Sequence, residues 1–345
     1  MNPPQRFYLI TYPRTASNLL IKMLSLDEQP GMTTGDDRGG YIFLPVNKLM
    51  NRMGVRNKKI THWTEEELKR VKDLYQRCFD QLQQSLANAL ENDHSVYIKE
   101  HIHFLIDPPK LSEYLFGPEN QDVVQNRWIL QLQPPFLSER GIQSSIDSVN
   151  VTLLPDAFLQ TWKPTFLIRH PALAFPSLYR ALLKSEHLRN QNKDLMLGQH
   201  CMTLRWTRML YDWYVQYYAR DATSDAGAGS QWPIVLDADD IMSNPKLVEK
   251  YCLCLGMDPR KLLFSWRQAT DEELSHMDST TKRYLGTLLD SDGIRTDKIA
   301  GDIDINKQAD TWRMEFGTRA GETMRQLVNN AMPDYEFLRA NRLMS

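Results

Sequence analysis

The sequence predicts an α/β fold: one domain, residues 1–345, with a central parallel β-sheet flanked by helices. Two observations predict it. Short apolar runs recur along the chain, at Phe7–Ile10, Val96–Ile98, Thr165–Ile168 and Ile234–Leu236, each the length of a buried strand rather than of a core helix. Helical spacing appears between them, so strands and helices alternate as in a parallel sheet. An apolar content of 42% in 345 residues is enough for a substantial core.

Composition excludes several classes. The net charge of −2 gives no electrostatic case for nucleic acid or an anionic membrane. No apolar run reaches membrane-spanning length, and Met1–Arg6 is not a signal peptide. Cys78, Cys201, Cys252 and Cys254 are sparse and unpatterned, which fits free thiols in a reducing compartment. Cys252 and Cys254 diverge on a helix, so no metal pair is expected there. The expectation is a cytoplasmic protein without nucleic-acid or membrane partners.

Taken in order, the first apolar run leads into Thr11-Tyr12-Pro13-Arg14-Thr15-Ala16-Ser17-Asn18, and Leu19, Leu20, Met23 and Leu24 then follow at helical spacing. A helix starting between Thr15 and Asn18 offers unpaired amides and a positive dipole end to an anion, and Arg14 adds a charge suited to phosphate. The bland alternative is an ordinary turn capped by Thr15 or Ser17. The G-x-x-x-x-G-K-[ST] loop is missing, so ordinary ATPase handling is not expected. Residues 31–41 have no period and read as a substrate-side loop.

Thr64 to Glu67 reads as a capping box, followed by an amphipathic stripe from Leu68 to Leu90. The strand Val96–Ile98 runs into Lys99-Glu100-His101-Ile102-His103, where Lys99 and His101 project to one side at a strand's carboxyl end. His101 and His103 have the spacing of a zinc pair, but no further cluster of ligands lies near, so a metal is not expected. Prolines break the period between Asp107 and Thr161, and residues 104–162 read as an irregular cover with short helices.

The strand Thr165–Ile168 leads into Arg169-His170-Pro171 and a helix carrying Ser177. An aromatic-rich helix is expected over 196–219, a surface loop over 221–229, and acidic caps at Asp237 to Asp240 before a helix from Pro245 to Gly256. Residues 270–307 read as loop-like. A last helix is expected over 308–330.

These segments together resemble the cytosolic sulfotransferase family, which moves a sulfuryl group from 3′-phosphoadenosine 5′-phosphosulfate (PAPS) to an acceptor. The family's Y-P-K-S-G-T-T-W stands here as Tyr12-Pro13-Arg14-Thr15-Ala16-Ser17-Asn18-Leu19. Its I-K-T-H stands as Ile98-Lys99-Glu100-His101, and its R-x-P with a serine eight after the arginine as Arg169-His170-Pro171 and Ser177. Its Y-E-D-[LM]-x-x-x-P segment resembles Asp237 to Pro245. The four occur in order.

The resemblance implies a P-loop NTPase-like sulfotransferase fold and PAPS as co-substrate, without metal. It implies Arg14 and the amides of Thr15, Ala16, Ser17 and Asn18 at the 5′-phosphosulfate, Arg169 and Ser177 at the 3′-phosphate, and His101 as general base with Lys99 and Arg14 stabilising developing charge. Arg295, Lys298 and Arg313 are partial echoes of the family's C-terminal phosphate motif. The acceptor is expected to be the hydroxyl of a small, apolar or aromatic molecule.

Several positions depart from the pattern. Arg14 replaces lysine, and Leu19 replaces a tryptophan that stacks on adenine. Ala16 replaces glycine, which requires negative φ there. Glu100 replaces threonine, and either raises the His101 pKa or points away. The family's dimerisation motif is missing, so the oligomeric state stays open. Other readings are a kinase or phosphoryl transferase on the same fold, a catalytically silent nucleotide-binding homologue, or a sulfation that activates a later elimination.

Overall fold

The computed structural model describes residues 3–34, 40–118, 127–134, 149–184, 199–221 and 231–344. In chain order, β1 is Arg6–Thr11, α1 Ser17–Leu24, β2 Met32–Thr33, α2 Leu44–Met53, α3 Glu65–Glu91 and β3 Ser95–His101. Next come α4 Ile102–Leu105, α5 Pro108–Phe116, α6 Asp156–Leu159, β4 Lys163–Ile168, α7 Pro171–Leu183, α8 Arg205–Asp221 and β5 Ile234–Asp237. The C-terminal part holds α9 Ala238–Ser243, α10 Pro245–Cys254, α11 Asp271–His276, α12 Ser279–Leu289, α13 Ile305–Phe316 and α14 Thr318–Ala340.

The strands form one parallel sheet in the order β2-β3-β1-β4-β5. Leu9, Ile10, Ile98, Leu167 and Val235 in it are wholly buried, as expected of a parallel sheet covered on both faces. β1 and β3 pair in a register that sets Leu9 beside Lys99 and Thr11 beside His101.

The chain divides into two compact units. One holds residues 1–12, 31–166 and 199–234; the other holds 13–30, 167–198 and 235–345. In the first, α3 starts at the Thr64–Glu67 capping box and buries Val71, Tyr75, Phe79, Leu82 and Leu86. Phe79 meets Phe158 edge-on, and Tyr8 packs on Trp162. In the second, Asp237 caps α9 through the Asp239 amide and receives the Tyr335 hydroxyl at 2.8 Å, so that acidic run is a cap.

Some segments differ from expectation. The stretch 31–41 contains β2, whose two residues are too few to show a period; residues 35–39 lie outside the described residues. Within the stretch expected as a helix over 196–219, residues 201–204 are not helical and α8 begins at Arg205. There the Thr203 hydroxyl takes the Arg205 amide at 3.1 Å and competes with helix hydrogen bonding. The expected loop 221–229 lies outside the described residues, apart from Asp221, which ends α8. Residues 270–307 are loop-like only in part: α11 starts at a capping box of Thr270 and Glu273 and α12 follows, whereas 290–304 hold only a short 3-10 turn at Thr296–Lys298.

The expected last helix, 308–330, is two. Gly317, at φ 89°, separates α13 from α14. The two then cross closely, because a Cβ at Gly321 would collide with the Arg313 backbone. Among the described residues no helix is long and apolar enough to cross a membrane.

Candidate active site

In the second unit, the loop after β1 reaches α1 through two left-handed residues, Arg14 at φ 71° and Ala16 at φ 63°. This corrects the expected negative φ at Ala16. The conformation is held from outside: Arg169 Nη1 donates to the Arg14 carbonyl at 3.0 Å, while the Ala16 carbonyl accepts the first helical bond from Leu20. Ala16 itself is the N-cap, and no side chain caps α1. Neither Thr15 nor Ser17 fills the role that the bland reading gave them. Both are buried, at the helix end where backbone amides and the dipole favour an anion.

Arg14, Arg169 and Ser177 come together here. Arg14 Nε donates to Ser177 Oγ at 3.0 Å, and its Nη1 donates to the Tyr284 carbonyl at 3.0 Å. Arg169 Nη2 donates to the Lys298 carbonyl at 2.8 Å. The forked guanidinium of Arg14 thus holds two partners that one ammonium would not span at this geometry. Lys298 joins by its backbone, and its ammonium lies 3.1 Å from Asp297, which also takes Arg295 at 2.9 Å. Arg313 is elsewhere: it pairs with Asp310 at 2.9 Å and Glu322 at 3.4 Å and makes no hydrogen bond or ion pair with residues 13–18.

In the first unit, β3 runs through Lys99, Glu100 and His101 before α4 begins. Strand alternation sends Glu100 away from its neighbours. Its buried carboxylate accepts the amides of Phe43 and His101, both at 3.0 Å, and so ties the start of α2 to β3. Glu100 is not among the groups that move the His101 pKa, so of the two readings the carboxylate points away. Burial first, and then Lys99, hold His101 well below its ordinary range, so the imidazole is neutral.

His101 Nδ1 lies 2.6 Å from Thr11 Oγ1, and the Thr11 hydroxyl reaches the Glu100 carbonyl at 3.3 Å. The Thr11 hydroxyl thus has two acceptors within reach; with its hydrogen on the carbonyl, its oxygen accepts from Nδ1–H and the lone pair falls on Nε2, the tautomer a base needs.

Tyr41 completes this cluster. Its amide donates to the Lys99 carbonyl at 2.8 Å, and its ring lies 4.6 Å from His101 and 4.4 Å from the Lys99 ammonium. Gly40 permits the approach, since a Cβ there would strike the Lys99 carbonyl. Lys99 is 3% exposed. His103, His200 and Cys201 bring ligand atoms within 4.8 Å of one another, so a cluster of metal-ligand type does lie near the histidine pair. Sequence reading missed it, because nearly a hundred residues separate its members.

No protein-family model matches the chain. It is 42% identical over 340 residues to the sulfotransferase ppzF of Metarhizium rileyi (strain RCEF 4871), covering 99% of this chain and 96% of that protein. It is also 42% identical over 342 residues to the sulfotransferase ppzF of Metarhizium majus (strain ARSEF 297), covering 99% and 97%. The chain belongs to the sulfotransferase family. As a sulfotransferase it is a transferase enzyme, and its parallel sheet with flanking helices fits that assignment.

Thr11, Tyr41 and the Tyr284 carbonyl escaped sequence reading. Thr11 precedes the motif by one residue, and its period-2 position opposite His101 was its only signal. The other two gave none, since each is brought in from a distant segment.

Proposed function

We propose that this sulfotransferase transfers a sulfuryl group from PAPS to the hydroxyl of a small-molecule acceptor. The observation that carries the reading is the Arg14–Ser177–Arg169 cluster at the uncapped start of α1. Two guanidinium groups, a hydroxyl and the amides of a helix start are a donor set for phosphate oxygens. Arg14 and the amides of Thr15 to Asn18 hold the 5′-phosphosulfate end, and Arg169 with Ser177 holds the 3′-phosphate. Lys298 meets Arg169 through its carbonyl, while the charged groups of Arg295, Lys298 and Arg313 are all paired with carboxylates.

The nucleotide supplies the group: the acceptor oxygen forms the new S–O bond, the S–O bond to the 5′-phosphate breaks, and the bisphosphate leaves. His101 Nε2 accepts the acceptor's proton, with Thr11 fixing its tautomer. Lys99 offsets negative charge developing on the oxygens. Catalysis then rests on positioning and electrostatics, as in phosphoryl transfer.

Replacing His101 with alanine tests the base. Turnover should fall by about 100-fold or more, while binding of 3′-phosphoadenosine 5′-phosphate stays within about twofold, since His101 makes no nucleotide contact in this reading. Unchanged turnover would contradict the assignment.

A further inference from the structure

Tyr41 has a strained backbone. Among the described residues five non-glycine residues have a left-handed φ, and Tyr41, at 69°, is the one aromatic side chain among them. That conformation is unfavourable for a bulky residue and persists only where the surroundings over-determine it. Three contacts hold the segment against β3. The Tyr41 amide donates to the Lys99 carbonyl at 2.8 Å, Gly40 packs on that same carbonyl where a Cβ would collide, and the Phe43 amide donates to the Glu100 carboxylate at 3.0 Å. The Tyr41 carbonyl in turn accepts from the amide of Leu44, the first residue of α2, at 3.0 Å.

The strain delivers one ring to two groups. Its centroid lies 4.4 Å from the Lys99 ammonium and 4.6 Å from the His101 ring, and Phe104 backs it edge-on at 6.2 Å. Lys99 is buried, so its ammonium meets the ring largely out of water, where cation–π attraction is at the stronger end of its range. An aromatic face holds an ammonium without cancelling its charge, as a carboxylate would. The carboxylate next in the strand, Glu100, is turned to the amides of Phe43 and His101. Lysine carries its charge on a flexible four-carbon stem, so a seat for the ammonium limits where that charge can act.

We propose that Tyr41 is a positioning residue for sulfuryl transfer: its ring holds the Lys99 ammonium where negative charge develops on the transferring oxygens. This rests on the sulfotransfer reading above and requires no contact between Tyr41 and the reacting atoms.

Two measurements on the full chain test it. The first is an NMR spectrum with lysine labelled at the ε-carbon. The ε-methylene signal of Lys99, identified by its loss in Lys99→Gln, should lie upfield of the other lysines through the Tyr41 ring current. Tyr41→Leu should move it back, and Tyr41→Phe should leave it upfield. The second is turnover of PAPS with 4-nitrophenol as the probe acceptor. Tyr41→Leu should lower kcat by about 5- to 30-fold with KM for PAPS within about twofold, and Tyr41→Phe should stay within about threefold of wild type. In a Lys99→Gln background, adding Tyr41→Leu should cost less than about twofold further, because the group it acts through is already gone. A Lys99 signal that Tyr41→Leu leaves in place would overturn the proposal. So would a Tyr41→Leu loss of the same size in both backgrounds, the mark of a merely structural role. A wild-type chain that shows the upfield signal and binds 3′-phosphoadenosine 5′-phosphate but transfers nothing to the phenol would overturn the role in transfer together with the phenol reading, and would leave the ammonium seat established.

Discussion

Thr11 Oγ1 and His101 Nδ1 lie 2.6 Å apart, although ninety positions separate the residues in the chain. They are direct partners in the β1–β3 register, so the sheet itself sets the contact. Thr11 is then a positioning residue. Thr11→Val keeps the shape and removes the oxygen, so Nδ1 loses its acceptor and Nε2 loses its bias toward the lone pair. Turnover should fall by about 10- to 100-fold. Thr11→Ser should restore most of it, and nucleotide affinity should hold in both. Steady-state kinetics beside calorimetry separates this from a merely structural loss, which would not be rescued by the hydroxyl alone.

The pH dependence of turnover follows from the surroundings of His101. Burial and, after it, Lys99 lower its pKa, so the base is neutral across pH 6.5–8 and loses activity only as pH falls well below 6.5. The rings of Tyr41, His103 and Phe104 face it, while the Glu100 carboxylate is engaged by two amides. Lys99→Gln removes the like charge. The acid limb of kcat against pH should then move up toward 6.5 without reaching it, since burial is the larger cause. A wild-type limb centred at 6.5 would contradict a buried neutral base.

Ala16 carries strain that glycine would not. A left-handed alanine costs about 1–2 kcal/mol, and the glycine chain loses roughly 0.4–1 kcal/mol more entropy on folding. Ala16→Gly should therefore stabilise the protein by about 0.5–1 kcal/mol, read as a higher urea midpoint at unchanged slope. Ala16→Val should do the reverse, because a β-branched side chain tolerates positive φ still less.

The fold was legible where short-range pattern determines structure. Apolar runs marked β1, β3, β4 and β5 because buried parallel strands need them, and the Thr64–Glu67 box marked α3. The split at Gly317 was not legible, since the apolar stripe continues through it, and neither were α11, short and mostly exposed, and α12, whose apolar face of Tyr284, Leu285, Leu288 and Leu289 spans barely two turns. For the site, Lys99, His101, Arg169 and Ser177 stood out by their places at strand ends and in the helix beyond. Tyr41 and His200 did not: each reaches the strand-end cluster through folding alone. The φ of Ala16 was misread because a residue's identity does not reveal an external clamp such as Arg169 on the Arg14 carbonyl.

Use of the nucleotide is tested most directly by calorimetric titration of 3′-phosphoadenosine 5′-phosphate against ATP with magnesium, on wild type and Arg169→Ala. Arg169 holds the loop and is proposed to hold the 3′-phosphate, a group ATP does not carry. Tight bisphosphate binding is expected, with ATP weaker by about 100-fold or more, the difference that one phosphate on a forked arginine supports. Arg169→Ala should lose most of the bisphosphate affinity. Stronger binding of ATP, or an Arg169→Ala chain that binds the bisphosphate as well as wild type does, would contradict the proposed donor site.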